Sequence, residues 1–207
     1  MRYTWASGGG SDGALIQVGS KLYGTTVTGG SYNEGTVFGV SPSGTLKTLY
    51  SFCPHSGCAD GSQPMAGLVL APNGELYGTT NTGGTGGGGG FGTVFKVTTR
   101  GRFASLVSFQ SGTAPANPTA PLTLASDGTL YGTTTDGGEP SNGFVYQIAN
   151  DTLANAWPLT GNTGCVGGTP YGGLLLASNG SFYGSDDNGN CADAGTLFEF
   201  SLAKPKK

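Results

Sequence analysis

The chain of 207 residues carries only 10% charged side chains, 41 glycines and a formal net charge of −3, a length that suits one domain with a sizeable core rather than two. Nine scattered Lys and Arg leave no basic footprint for a nucleic acid or an anionic membrane. No apolar run approaches the roughly eighteen residues of a membrane helix, and Met1 to Ser11 has neither the basic start nor the apolar stretch of a signal peptide, so an exported form would already have shed its signal.

From the N-terminus, Thr4-Trp-Ala-Ser7 reads as the end of a strand, followed by a loop through Asp12-Gly13. Ala14 and Ile16 then alternate with polar neighbours and lead to Lys21-Leu-Tyr-Gly-Thr-Thr26, Gly35-Thr-Val-Phe38 and Leu49-Tyr-Ser-Phe52. The same succession returns as Leu68 and Leu70, Glu75-Leu-Tyr-Gly-Thr-Thr80, Gly92-Thr-Val-Phe95 and Leu106-Val-Ser-Phe109. It returns again as Leu122 and Leu124, Thr129-Leu-Tyr-Gly-Thr-Thr134, Gly143-Phe-Val-Tyr146 and Ala156-Trp-Pro-Leu159. The last copy is Leu174 and Leu176, Ser181-Phe-Tyr-Gly-Ser-Asp186 and Gly195-Thr-Leu-Phe198, and it stops at Ser201-Leu202. Tyr23, Tyr77, Tyr131 and Tyr183 lie 54, 54 and 52 residues apart.

Period-two alternation within each copy predicts four short antiparallel strands, A to D. Asn73-Gly74, Asp127-Gly128 and Asn179-Gly180 between strands A and B are hairpin signals. Four-stranded units repeating at about fifty residues, rich in glycine turns and aromatics, are propeller blades. The expected fold is therefore an all-β, small β-propeller of four blades with four antiparallel strands each. The ring would be closed by the N-terminal strand, around Tyr3 to Ala6, pairing with the C-terminal blade around Thr196 to Phe200. One domain would span 1-203, with repeats about 8-52, 62-109, 118-159 and 169-203 plus 1-7, and 204-207 as a disordered tail.

Cys53 and Cys58 share one D-to-A loop, while Cys165 and Cys191 fall in a D-to-A and a B-to-C loop of the last copy. Because those two loop types emerge on one face, the pairs Cys53–Cys58 and Cys165–Cys191 are expected. A four-thiolate zinc site is the alternative, without the usual Cys-x-x-Cys knuckles. Disulfides imply an oxidising compartment.

Residues shared by all copies are read as packing requirements, so function is sought where copies differ. On the face of the D-to-A and B-to-C loops these departures are Tyr32, Asn33, Glu34, His55, Asp60, Asp136, Glu139, Asp186, Asp187 and Asp193. Asp186 replaces the threonine of the other copies at the end of strand B. Asp186, Glu34 and Asp136 are the candidate catalytic carboxylates, and Tyr32, Asn33, His55, Asp60, Glu139 and Asp187 the candidate ligand contacts. Carboxylates beside tyrosines suit sugar hydroxyls and rings, and two of them could hydrolyse a glycosidic bond; equally, they could only keep a glycine-rich surface soluble. His55, the single histidine, reads as part of a disulfide-tied turn as readily as a ligand contact. Asp186, Asn188, Asn190 and Asp193 place oxygens at alternate positions as a calcium loop does, but lack its glycine and closing glutamate; a turn-forming cluster is the competing reading. No cofactor motif is present: Gly9-Gly-Ser-Asp-Gly13 has no strand-to-helix context for a nucleophile elbow, and the tract Gly83 to Gly90 no βαβ unit for a phosphate.

The run Leu-Tyr-Gly-Thr-Thr, paired glycines, Gly-Thr-Val-Phe, Leu-Tyr-Ser-Phe, Asp-Gly, Ala-Gly-Leu-Val-Leu-Ala resembles the bacterial GloVer tandem repeat of "choice-of-anchor" surface proteins. It matches best over Gln63 to Phe109 and least in the last copy, where Gly184-Ser-Asp186 and Gly189-Asn190 depart from the pattern. The resemblance implies an exported or surface location and brings no catalytic residues. The sequence alone thus favours a secreted or cell-surface binding module for glycans or another extracellular partner, with a glycoside hydrolase or polysaccharide lyase as the enzymatic alternative and a structural spacer as a third. A monomer is expected, without nucleic acid or membrane insertion.

Overall fold

The computed structural model describes residues 10, 12–86, 90–110, 112–138, 142–159, 169–187 and 195–202. They form four antiparallel sheets in chain order. The first contains β1 (Ile16–Val18), β2 (Lys21–Thr26), β3 (Thr36–Val40) and β4 (Leu46–Ser51); the second contains β5 (Val69–Leu70), β6 (Leu76–Thr80), β7 (Thr93–Val97) and β8 (Phe103–Ser108). The third contains β9 (Thr123–Leu124), β10 (Leu130–Thr134), β11 (Phe144–Ala149) and β12 (Thr152–Pro158). The fourth shows three strands among the described residues, β13 (Leu175–Leu176), β14 (Phe182–Asp186) and β15 (Thr196–Phe200). Each sheet is a simple meander, and together they form an all-β array of propeller-like blades. The N-terminal strand expected to close the ring lies outside the described residues.

The repeated motif can now be decoded residue by residue. The glycine of Tyr-Gly-Thr pairs across to the phenylalanine of the next strand, Gly24 to Phe38, Gly78 to Phe95 and Gly184 to Phe198. The phenylalanine ring lies so close over it that a Cβ on Gly78 would collide with Phe95 and Leu68. The first threonine donates to a backbone carbonyl of the following blade: Thr25 to Ala66 at 2.8 Å, Thr79 to Ala120 at 3.4 Å and Thr133 to Gly172 at 3.2 Å. The second threonine stays within its own sheet, where Thr26 bonds Thr36 and Thr80 bonds Thr93, each at 2.8 Å. One side chain stitches blade to blade and its neighbour stitches strand to strand.

Three hydrophobic clusters lie between consecutive sheets. Tyr23, Val37 and Phe52 of the first meet Leu68, Leu76, Phe95 and Val97 of the second. Tyr77, Val94 and Phe109 of the second meet Leu122, Leu130, Tyr146 and Ile148 of the third. Tyr131 and Val145 of the third meet Leu174 and Phe182 of the fourth. Aromatic pairs recur at these seams: Phe52 with Phe95 at 5.2 Å, Phe109 with Tyr146 at 5.1 Å and Tyr131 with Phe182 at 4.4 Å between centroids. Burying each such side chain contributes roughly 1.5–3 kcal/mol, so the interfaces hold the fold and the two-residue strands β5, β9 and β13 only follow.

The structure corrects the phase of the first strand. Ile16 pairs with Tyr23, whereas Val69, Thr123 and Leu175 pair with the corresponding tyrosines. Leu15, not Ala14, is therefore the counterpart of Leu68, and it packs over Gly24 as Leu68 does over Gly78. The cause is a hairpin shorter by one residue, with Val18 paired directly to Lys21. In the second blade the loop is instead three residues, bonded Gly74 N to Ala71 O and Ala71 N to Glu75 O, with Gly74 at φ 78°.

Candidate functional site

The D-to-A and B-to-C loops do share a face: Ser62 bridges to Thr82 and Ala116 to Asp136. On it, Asp186 stands in for a strand-tying threonine. Its Oδ1 accepts from Thr196 N at 3.2 Å and its Oδ2 from the Thr196 hydroxyl at 2.7 Å, which reproduces the Thr80–Thr93 bond with a carboxylate. Asp60 is committed to the disulfide turn; Oδ2 accepts from the Tyr50 hydroxyl at 2.9 Å and from Cys53 N at 3.1 Å, and its carbonyl accepts from Thr93 at 3.3 Å. Burial first, and the Asp60 carboxylate second, hold the Tyr50 phenol above its ordinary range.

Glu34 is half-buried and its carbonyl receives Gln63 N, while Asn33 sits at φ 61° and its Oδ1 accepts from Gly29 N at 3.2 Å. Tyr32 is 51% exposed. Asp136 is exposed and accepts from the Thr135 hydroxyl at 3.3 Å. His55 is exposed in the turn closed by the Cys53–Cys58 disulfide, and Asp187 is exposed with its N–H on Thr169 O. Among the described residues no three His, Cys, Asp or Glu side chains gather closely enough to hold a metal ion. Glu139, Asn188, Asn190, Asp193 and the Cys165–Cys191 pair fall outside the described residues. The face thus carries the candidates on separate blades, and Asp186 and Asp60 are already hydrogen-bonded into the scaffold.

A concavity of about 430 Å³ lies between the second and third blades where the A-to-B and C-to-D turns emerge. Its apolar floor is Ala71, Leu130 and Ile148, and Asn73, Ser126, Asp127, Asn150 and Asp151 rim it. The turn Asn150-Asp151 builds one wall. Both residues have positive φ, 51° and 62°, between paired Ala149 and Thr152, the two-residue geometry that Asn and Asp tolerate. The corresponding turn of the second blade is three residues long, closed by Thr98 N on Arg102 O.

The shorter turn delivers Asp151 to the second blade. Its Oδ1 accepts from the Tyr77 hydroxyl at 2.9 Å, and its Oδ2 meets Lys96 Nζ at 2.6 Å. Lys96 also pairs with Glu75 at 3.0 Å, and Asn73 Nδ2 reaches both Glu75 and Tyr77 at 3.0 Å. The hydrogen bonds to Asp151 and then Glu75 hold the Lys96 ammonium above its ordinary range. Burial, the largest influence, pushes Asp151 up, but Lys96 and Tyr77 together outweigh it and leave the carboxyl below its ordinary range. Burial raises Tyr77. This cluster was not among the sequence candidates. The available signal was Lys96 itself, a rare charge at a strand position that Gly39, Gln147 and Glu199 hold in the other copies.

Another cavity, of about 630 Å³, lies where residues leading into the first strand of each of the four blades converge, from Asp12–Ile16 through Met65–Leu68, Thr119 and Pro121 to Tyr171. Four such blades around a common space define the class, an all-β repeat protein of propeller type.

The chain belongs to the Gloeobacter/Verrucomicrobia repeat family, whose model matches residues 10–206. No curated protein matches the sequence. Among solved structures it is similar to a luciferin-regenerating enzyme (14% identity, TM-score 0.58, 93% of this chain and 58% of that one). It is likewise similar to an ulvan lyase bound to a glucuronate–sulfated rhamnose saccharide (11%, 0.59, 89% and 49%). A third similar structure is PorZ, a surface component of the type-IX secretion system of Porphyromonas gingivalis (14%, 0.57, 97% and 28%). The chain spans about half the length of the first two and less of the third, and at these identities the likeness is one of fold.

Proposed function

We propose that the chain is a secreted or cell-surface binding module for glycans, and that the saccharide sits in the pocket between the second and third blades. The observation that carries this reading is the pocket's construction: an apolar floor below a rim of amide, hydroxyl and carboxylate groups, held in place by the Asp151–Lys96–Glu75 network. Concave apolar pockets with a few fixed polar groups are the usual seat of a small ligand, and sugars offer hydroxyls to such a rim and C–H faces to such a floor. The Cys53–Cys58 disulfide accords with an oxidising compartment, and the ulvan lyase and PorZ folds are used on saccharides and at a cell surface. Hydrolysis through Asp186 gains no support from its position, because both its oxygens are engaged by Thr196.

The test is a glycan array followed by calorimetry on the wild type, Ser126→Trp and Asp186→Asn, beside assays on chromogenic glycosides and polysaccharides. Ser126 is an exposed rim residue, so the indole fills the pocket without cutting a bond of the network. Saturable binding weakened at least about tenfold by Ser126→Trp and unchanged by Asp186→Asn is expected. Turnover abolished in Asp186→Asn, or binding indifferent to Ser126→Trp, would remove the proposal.

A further inference from the structure

The same short segment leads into the first strand of every blade, and one position in it differs in all four copies. Counting back three residues from Leu15, Leu68, Leu122 and Leu174 gives Asp12, Met65, Thr119 and Tyr171. The two residues between are always small or proline: Gly13-Ala14, Ala66-Gly67, Ala120-Pro121 and Gly172-Gly173. In the last three copies the variable residue is fastened on both sides. Pro64, Pro118 and Pro170 precede it, and they press so closely on Gly35, Gly92 and Gly143 of the preceding blade that a Cβ there would touch the proline ring. The residue that follows it gives its carbonyl to Thr25, Thr79 or Thr133. All four variable residues line the cavity of about 630 Å³ where the blades converge, a size usual for a small-ligand site. Packing positions in a repeat fold recur from copy to copy; this position keeps its backbone placement and changes its chemistry each time.

We infer that this cavity binds a small organic ammonium compound with an apolar body and a hydroxyl group, at a site separate from the pocket between the second and third blades. The four side chains specify that chemistry. Asp12 brings a carboxylate, and among the described residues the lining contains no lysine, arginine or histidine to balance it; a cationic ligand supplies that charge. Tyr171, 61% exposed, offers an aromatic face to the same cation. Met65 is half-buried, and with Leu15 and Leu68 it gives an adaptable apolar wall. Thr119 is the independent indication. Its Oγ1 is buried and has no hydrogen-bond partner among the described residues, a condition that native folds seldom leave unanswered. A ligand hydroxyl answers it.

Calorimetry at neutral pH and low ionic strength, with tyramine, phenethylamine, para-ethylphenol and para-hydroxyphenylpropionate, separates these contributions, because the probes share an apolar body and differ in charge and hydroxyl. Tyramine should bind saturably, about tenfold more tightly than para-ethylphenol, with phenethylamine between them and the propionate not binding. Asp12→Asn, at an exposed position, should bring tyramine down to the affinity of para-ethylphenol. Thr119→Val should bring it down to that of phenethylamine and leave phenethylamine itself unchanged. Met65→Trp fills the cavity and should abolish binding while keeping the far-ultraviolet dichroism of the wild type; Ser126→Trp, in the other pocket, should change nothing. Tyramine that fails to bind, or that is indifferent to Asp12→Asn, Thr119→Val or Met65→Trp, overturns the inference. So does para-ethylphenol or the propionate binding as tightly as tyramine. Saccharide binding weakened by Ser126→Trp is a separate readout and stands or falls without these results.

Discussion

Tyr146 holds the place of Phe38, Phe95 and Phe198 in the other blades, and its ring lies over Gly132. It is fully buried, and its hydroxyl has no hydrogen-bond partner among the described residues, so burial drives the phenol far above its ordinary range. An orphaned buried hydroxyl costs about 1–3 kcal/mol. Tyr146→Phe removes it and restores the side chain of the sister blades without opening a large cavity. Urea denaturation should show a gain of about 1 kcal/mol with an unchanged m-value. A loss of stability would mean that the hydroxyl is satisfied after all. The residue scale is also where the sequence is least legible. Asp186 looked like a lone carboxylate breaking the symmetry, yet Thr196 makes it a stand-in for threonine; a pattern of residue types cannot show which oxygen is already taken.

At the scale of the hairpin, much was readable. Asn73, Asp127 and Asn179 each accept from the N–H two residues on, at 2.9–3.0 Å, and a glycine at positive φ follows each, so the Asn-Gly and Asp-Gly signals marked real turns. Two things were not readable. The one-residue-shorter first hairpin shifts Leu15 into the core position, because both phases place an apolar residue before Tyr23. The two-residue turn Asn150-Asp151 aims a carboxylate into another blade, a contact 55 residues away from Lys96 that no local pattern encodes. That contact gives a pH prediction. Asp151 has a lowered folded pKa, so its contribution is present above the unfolded value near 4 and is lost as pH falls through the folded value. Lys96, raised in the fold, contributes below its unfolded value and is lost only as pH rises through the folded one, in strong alkali. Asp151→Asn keeps a residue that tolerates φ 62° and removes the ion pair. Because Asp151 is 40% exposed, the loss at pH 7 should be about 0.5–1 kcal/mol, and the variant and wild type should converge by about pH 2. A difference that persists undiminished in acid would assign the effect to the turn rather than to the charge.

For the whole molecule, stability runs along one dimension, because each hydrophobic cluster among the described residues joins two consecutive blades. The period in the sequence disclosed the number of blades, since every copy must supply both halves of an interface. Whether the ends meet was not disclosed, since a closed ring and an open row need the same halves. The second and third blades are covered on both sides, and every residue of β6 and β10 is buried. β14 is buried only in part, and β15 alternates half-buried with exposed positions. Local opening follows the number of neighbours, so hydrogen exchange at low protein concentration should release the amides of β14 and β15 first. The amides of β6, β7, β10 and β11 should exchange last, at the rate of global unfolding. Uniform protection would mean that the four blades unfold as one unit.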